Sequence, residues 1–225
     1  MPKKNSNAGR AVATAKNTNL ARLPKRIAIG DHEVRPQQLY IIKKRQPRGA
    51  GPWIDEKFDK VAWNDAATGL DCILLRQASG VWGGFVAVSP GHPLYGYRED
   101  AIPAAIGLAP HGGIDYAEAC SRYEDEAVRV CHVHSRPDAP QAEDQTGDNA
   151  WWFGFAADKP GDLVPSDSKP ILAREEGEIY RGIDYMYSET VQLARQLKAI
   201  EDSIDGKAAP VLAPPPPRLG KPGGR

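Results

Sequence analysis

The stretch CILLRQASGVWGGFVAV, residues 72–88, decides the fold. It holds two apolar runs, 72–77 and 81–88, which are joined by Ala-Ser-Gly at 78–80. A three-residue connection that ends in glycine is typical of a β-hairpin with a bulged turn, since glycine readily adopts the positive φ that such a turn needs. The stretch therefore predicts two antiparallel strands.

Segments on both sides of this hairpin are predicted to add further strands. Residues 39–42 form a short apolar run, and residues 151–155, WWFGF, place four aromatic residues around one glycine, as a buried strand would. Residues 127–134 alternate between two faces, with valines and histidines on one of them, which also predicts a strand. Residues 54–64 are predicted to form a short helix or an irregular segment, and residues 135–149 a polar loop.

The last element is predicted to be one long amphipathic helix, because mostly apolar residues recur there at steps of four and three. This stripe consists of Ile179, Ile183, Met186, Thr190, Leu193, Leu197, Ile200 and Ile204. We expect the helix to cover an antiparallel sheet built from hairpins, which is an α+β fold. The same spacing also fits a heptad, so a homodimer through the C-terminal helix is the alternative.

Composition divides the chain into three parts. Residues 1–25 are predicted to be a disordered basic arm, residues 26–204 a single domain, and residues 205–225, with four consecutive prolines, a disordered tail. The net charge is zero, yet residues 1–48 hold twelve Lys and Arg against two acidic residues. We expect this segment to be solvated; the alternative is weak contact with nucleic acid or an acidic partner.

Several classes of protein are excluded by what the sequence lacks. No run of about 18 apolar residues occurs, so we expect neither a transmembrane helix nor a membrane partner. The basic N-terminus lacks the apolar core of a signal peptide, and three cysteines do not suggest a secreted disulfide scaffold. We therefore expect a cytoplasmic protein. The sequence contains no P-loop, dinucleotide fingerprint, serine-hydrolase elbow or zinc-protease motif.

The segment HGGIDY, residues 111–116, is the first candidate for a site. Its His111 and Asp115 carry acid–base groups and are the candidate catalytic residues. Two adjacent glycine amides are suited to bind an anion. The predicted ligand-binding residues of this segment are Gly112, Gly113 and Tyr116. The alternative is a tight turn with an exposed histidine.

Two other segments are predicted to line the same pocket. Residues 89–96 form a loop made rigid by proline and glycine, and it carries the candidate ligand-binding residues His92 and Tyr95. The aromatic run and the turn after it offer ring faces for a flat ligand and carboxylates for hydroxyl groups. The predicted ligand-binding residues there are Trp152, Asp158 and Asp162. The alternative is a structural strand followed by a turn.

Zinc is the candidate cofactor, because the chain holds histidine and cysteine, the ligands that zinc prefers. His132 and His134 share one face of the predicted 127–134 strand and are the candidate metal ligands. Cys131 points to the other face of that strand, and no paired-ligand spacing occurs. Without a metal, Cys131 is predicted to be a core residue and the histidines to be polar surface groups.

Five motifs in order resemble a family of uncharacterised phage and prophage proteins. They are GGFVAV with PGHPLYG (83–96), HGGIDY (111–116), CHV (131–133), WWFGF with GD (151–162), and YR (180–181). The resemblance covers roughly residues 70–200. It implies a phage-encoded accessory protein in the host cytoplasm, with no settled activity. Family members often carry Asp-Cys-x-His where this chain has Ala-Ala-Asp-Lys at 156–159, so the likeliest reactive side chains are missing.

These observations favour an accessory protein that binds a small polar, nucleotide-like ligand in a pocket lined by glycine and aromatic residues. The first alternative is a metal-assisted hydrolase in which His111 works with Asp115 or Asp162. The second alternative is an interaction protein, whose basic arm and proline-rich tail bind host macromolecules.

Overall fold

A computed structural model describes residues 18–19, 23–120, 124–131, 149–165 and 177–204. Regular structure in these residues comprises nine strands and one α-helix. The strands are β1 (Thr18–Asn19), β2 (Ile27–Ile29), β3 (His32–Val34), β4 (Gln38–Ile41), β5 (Lys60–Asn64), β6 (Asp71–Arg76), β7 (Trp82–Val88), β8 (Tyr116–Ala119) and β9 (Trp151–Ala156), and the helix is α1 (Ile183–Ile204). Short 3-10 helices occupy Pro52–Asp55, Glu99–Ala101 and Ala104–Ile106.

The main sheet is antiparallel, with its strands in the order β1-β4-β5-β6-β7-β9-β8, and β2 and β3 form a separate hairpin. The predicted α+β fold is confirmed. The predicted hairpin in residues 72–88 is β6–β7, in which Cys72 pairs with Val86 and Arg76 with Trp82. Its turn has Gly80 at a φ of 87°, and the amide of Gly80 donates to the carbonyl of Gln77 at 3.0 Å.

Alternate residues of the central strands pack on opposite faces of the main sheet. In β6, Cys72 and Leu74 belong to the apolar cluster under α1, whereas Ile73 and Leu75 belong to a second cluster on the other face. The middle of the predicted helical stripe is fully buried on the first face; its members there are Met186, Thr190, Leu193 and Leu197. The stripe is therefore covered by the sheet of its own chain, and a homodimer through it would have to displace this packing.

Two glycines allow close packing against the sheet. A Cβ atom at Gly84 would lie 2.2 Å from Oγ1 of Thr190, so glycine at this position lets α1 approach β7. Gly154 pairs with Phe85 across β7 and β9, and a Cβ atom there would lie 2.3 Å from Cδ1 of that ring. The glycine in WWFGF thus makes room for a neighbouring aromatic ring.

A buried ionic cluster joins the sheet to the start of α1. Arg76, 1% exposed, contacts Oε2 of Glu56 at 2.5 Å and Oδ1 of Asp59 at 2.8 Å. The hydroxyl of Tyr180 donates to Oε2 of Glu56 at 2.7 Å. Oε1 of Glu56 accepts the amide of Ile183, the first residue of α1, at 2.9 Å. One glutamate therefore connects β6 to the helix N-terminus.

Two predicted elements differ in the structure. Residues 54–64 are neither one helix nor irregular: a 3-10 helix ends at Asp55 and strand β5 begins at Lys60. The predicted 127–134 strand is wrong over its described part, because residues 124–131 form a turn without strand pairing. Asp125 organises this turn: its side chain accepts the amide of Ala127, and its carbonyl accepts the amide of Val128. Local hydrogen bonding therefore outweighs the alternating pattern.

The cysteines are arranged in a way that their number did not predict. A disulfide joins Cys120 to Cys131, with their Cα atoms 5.0 Å apart, and Cys72 is free and buried. While this bond is intact, neither Cys120 nor Cys131 offers a thiolate to a metal ion. Whether the protein is cytoplasmic stays a prediction.

The predicted termini lie largely outside the described residues, as do the predicted 135–149 loop up to residue 148 and the whole predicted tail. Within the predicted arm, Thr18–Asn19 pairs with β4. The described chain includes no helix that is both long enough and apolar enough to cross a membrane.

Candidate functional site

The predicted catalytic and ligand-binding residues fall into three places in the structure. His111, Asp115, Asp158 and Asp162 lie together with Gly112 around two turns beside the start of α1. His92 and Tyr95 lie under the second half of α1 and beside Trp151. Tyr116 and Trp152 pack in the cluster on the opposite face of the sheet. The first place is the candidate site.

Two turns bring His111 and Asp162 together. His111 is in the turn before β8, where the amide of Gly113 donates to the carbonyl of Pro110 at 2.9 Å. Asp162 is in the turn after β9, and the amide of Leu163 beside it donates to the carbonyl of Ile179 at 3.0 Å. Nε2 of His111 lies 2.6 Å from Oδ2 of Asp162, whose side chain is 1% exposed.

The start of α1 and the segment just before it supply two partners that were not among the predicted site residues. The hydroxyl of Tyr185 lies 2.9 Å from Nδ1 of His111. Arg181, just before the helix, donates Nε–H to Oδ1 of Asp162 at 2.9 Å, and its guanidinium carbon lies 4.8 Å from the centroid of the Tyr185 ring. Asp162 thus accepts from both His111 and Arg181 while Tyr185 contacts both of these donors.

The electrostatics of this cluster favour an ionised Asp162. Burial alone would raise the pKa of Asp162, but hydrogen bonds from His111, Arg181 and the amide of Lys159 outweigh it and lower the pKa below its usual value. Burial, with help from the charge of Glu189, raises the pKa of Tyr185. Tyr185 is therefore a neutral hydroxyl near pH 7, and Asp162 is a buried anion.

Lys159 connects a second carboxylate, that of Asp115, to the cluster around Asp162. Its Nζ lies 2.5 Å from Oδ2 of Asp115 and 3.1 Å from Oδ1 of Asp158. Asp115 also accepts the amide of Ala156 at 3.1 Å. A Cβ atom at Gly112 would lie 2.4 Å from Cγ of Lys159, so glycine lets the lysine stem cross the turn. Asp115 is therefore a partner of Lys159, and Asp162 is the partner of His111.

In this arrangement, the terminal nitrogens of Arg181 are more accessible to a ligand than the ring nitrogens of His111 are. Both ring nitrogens of His111 have protein partners, so neither faces a substrate or a metal. Arg181 is held by Nε and by stacking on Tyr185, and 26% of its side chain is exposed. Among the described residues, no hydrogen bond uses its two terminal nitrogens. Such a fork matches a phosphate or a carboxylate.

The other predicted ligand residues have structural partners away from this cluster. Nε2 of His92 lies 2.9 Å from the carbonyl oxygen of Leu197, and Nδ1 accepts the amide of Leu94 at 3.1 Å. Burial lowers the pKa of His92, which favours the neutral ring. Trp152 is fully buried, so its ring presents no face to a ligand. Tyr116 packs edge-on against Phe85, with ring centroids 5.2 Å apart.

The residues that sequence reasoning missed left one signal in the sequence. Arg181 and Tyr185 are four positions apart at the start of the predicted helix, a spacing at which side chains of a helix meet. Lys159 left none, because its contact with Gly112 depends on the pairing of β8 with β9.

The predicted zinc ligands His132 and His134 lie outside the described residues. Within the described part of the chain, no three His, Cys, Asp or Glu side chains come together to hold a metal ion. Comparison with protein-family models, with curated proteins and with solved structures found no match for this chain.

Proposed function

We propose that this protein binds a small anionic, hydroxyl-bearing ligand, such as a phosphorylated sugar or nucleotide, at Arg181. The proposal rests on one observation, which is the way that the side chain of Arg181 is held in place. A buried carboxylate holds its Nε, an aromatic ring supports one face, and the terminal nitrogens remain available among the described residues. An arginine held in this way loses little side-chain entropy when an anion binds.

The neighbouring groups suit the remainder of such a ligand. Asp115 and Asp158 are one-third and one-half exposed and can accept hydrogen bonds from ligand hydroxyls. The turn at Gly112 and Gly113 lies beside them, and both glycines have positive φ. The predicted aromatic wall is not part of this cluster, because Trp152 and Tyr116 lie on the other face of the sheet. The proposal therefore rests on the anionic group and the hydroxyls, without base stacking.

The two alternatives from the sequence receive less support. A hydrolase that uses His111 needs a ring nitrogen that faces its substrate or metal, and both nitrogens have protein partners here. An interaction protein would use segments that lie largely outside the described residues. The phage context that the resemblance implies stays a prediction.

A thermal-shift and calorimetric titration tests the proposal with three probes: inorganic phosphate, ribose 5-phosphate and AMP. We expect ribose 5-phosphate or AMP to raise the melting temperature of the wild type by mass action. We expect Arg181→Gln to abolish this rise, because the variant lacks the cationic fork. Arg98→Gln is the matched control, since Arg98 is 74% exposed and its described ion pair is with Glu99, which is not a member of the cluster.

Two results would contradict the proposal. One is the absence of stabilisation by every probe at millimolar concentration. The other is an equal loss of binding in the Arg98→Gln control, which would mean that the probes respond to the total charge of the protein and not to this site. Stabilisation by phosphate alone, without a gain from the sugar, would remove the role assigned to Asp115 and Asp158.

A further inference from the structure

Residues 124–131, which we call the strap, cover the face of the main sheet opposite α1. Two of their side chains, Ala127 and Val130, are buried in the apolar cluster of that face. The side chain of Gln38 donates to Oε1 of Glu126 at 3.1 Å and adds a polar contact between the sheet and the strap. The strap therefore covers part of this side of the core.

Lys60 is fully buried beneath the strap. Its Nζ donates to the carbonyl oxygens of Glu126 at 2.6 Å and Arg129 at 3.0 Å, and it lies 5.5 Å from the centroid of the Tyr40 ring. These carbonyls replace water around the ammonium group. Burial lowers the pKa of Lys60 to about 8, so a substantial fraction of its amine is unprotonated in mildly alkaline solution. A reagent in solution reaches this amine only if the strap moves.

The disulfide holds the strap in place from one end. Cys131 is the last residue of the strap, and Cys120 directly follows β8 at the edge of the sheet. The two cysteines are eleven residues apart, so the bond closes a short loop around the strap. Besides the disulfide, the described contacts that hold the strap on the sheet include three hydrogen bonds and the packing of Ala127, Val128 and Val130. Reduction removes the covalent constraint and leaves these noncovalent contacts, which can open locally without unfolding of the whole domain.

We propose that the Cys120–Cys131 disulfide is a redox clasp that controls access to Lys60. A dithiol reductant breaks the S–S bond with two electrons; each cysteine sulfur takes up one proton, and the reductant becomes a cyclic disulfide. The strap then opens and exposes the amine of Lys60 to acylating reagents. Reoxidation restores the bond and closes the strap over Lys60. This proposal does not depend on ligand binding at Arg181.

Amine acetylation of the intact protein, read by peptide mass spectrometry, tests the proposal. Oxidised and dithiothreitol-reduced samples are treated with N-hydroxysuccinimide acetate at pH 7.5. We expect reduction to raise the acetylation rate of Lys60 by about tenfold or more, as removal of a short-loop constraint allows. Lys57, exposed and three residues away, is the internal control and should react at the same rate in both samples.

Two further measurements keep the experiment decisive. Thiol titration in denaturant should find one free thiol per chain before reduction and three after it. Far-UV circular dichroism should be unchanged by reduction, and the variant Cys120→Ser/Cys131→Ser should react at Lys60 as the reduced wild type does, without any reductant. If this variant does not fold, the reduced wild type alone decides.

Three outcomes would overturn the proposal. Equal reactivity of Lys60 in oxidised and fully reduced protein would show that the disulfide does not control access. A rise in Lys60 acetylation that occurs only with loss of circular dichroism would assign it to global unfolding. Three free thiols before reduction would show that no clasp forms in solution.

Discussion

Replacement of Arg76 by methionine should destabilise the domain severely, because it leaves two buried carboxylates without their cation. Arg76 is 1% exposed, and its partners Glu56 and Asp59 are 8% and 0% exposed. Removal of one partner from a buried ion pair typically costs about 3–5 kcal/mol. Since whole domains of this kind have about 5–15 kcal/mol of stability, the variant is expected to lose a large part of the total.

The structure indicates how much of this cost the remaining contacts offset. Oδ2 of Asp59 keeps the amide of Ile42 at 2.6 Å and the amide side chain of Gln46 at 3.0 Å. Oε2 of Glu56 keeps the hydroxyl of Tyr180 at 2.7 Å. Methionine keeps an aliphatic stem at this position but loses the contact of the guanidinium carbon with the Trp82 ring, 4.4 Å from its centroid. We therefore expect Arg76→Met to lose about 3 kcal/mol of unfolding free energy, at the lower end of the range for a broken buried ion pair.

Urea unfolding followed by tryptophan fluorescence measures this loss as a shift in midpoint at constant slope. Arg98→Met is the matched control, because Arg98 is exposed and its nearest carboxylate is 3.8 Å away; a change within about 0.5 kcal/mol is expected. A loss below about 1 kcal/mol in Arg76→Met would refute the reasoning. It would mean that the desolvation of three charged groups cancels their attraction in the wild type.

Three other changes test separate parts of the structure. Gly154→Ala should cost about 1–3 kcal/mol by urea unfolding, since its Cβ would lie 2.3 Å from the Phe85 ring, and Phe85→Leu in the same chain should restore part of the loss. Because the pKa of Asp162 is lowered in the folded state, its contribution is present above its unfolded pKa near 3.8 and is lost as the pH falls below it. Wild type should therefore lose more stability than Asp162→Asn between pH 5 and 3, and parallel curves would contradict this. The pKa of Lys60 falls from 10.5 to about 8 on folding, so above pH 8 the unfolded chain binds more protons than the folded protein. The free energy of unfolding should therefore rise with pH in this range, by about 2 kcal/mol up to pH 9.5. The variant Lys60→Met should lack this rise.

The fold was predictable where one local pattern was sufficient. The β6–β7 hairpin, strand β9 and helix α1 follow from apolar runs, a glycine-ended turn and a period of 3.6 residues, each of which acts over adjacent residues. The 127–134 segment was not predictable in this way. Its alternation resembles a strand, but the side chain of Asp125 and the disulfide at Cys131 hold a turn there.

Some residues of the candidate site were predictable from the sequence, and others were not. His111, Asp115 and Asp162 stand in polar, glycine-containing segments, and the structure brings them into one cluster. Trp152 and His92 looked equally suitable, yet one is buried on the far face and the other bonds the backbone of α1. Residue type alone does not distinguish a side chain that faces a site from one that packs behind it. The face to which a strand residue points depends on its position along the strand and on how that strand pairs with its neighbours.

The sequence by itself determined the α+β class, the central hairpin, the long covering helix and the segments that hold the polar groups. These properties depend on interactions between residues that are close in the sequence, so the order of the amino acids is enough to predict them. Only the tertiary structure decided that Asp162 pairs with His111, that Arg181 is held on Tyr185, and that Lys60 is closed beneath the strap. Each of these contacts joins residues from separate elements, so each depends on register, on sheet order and on which face the helix covers.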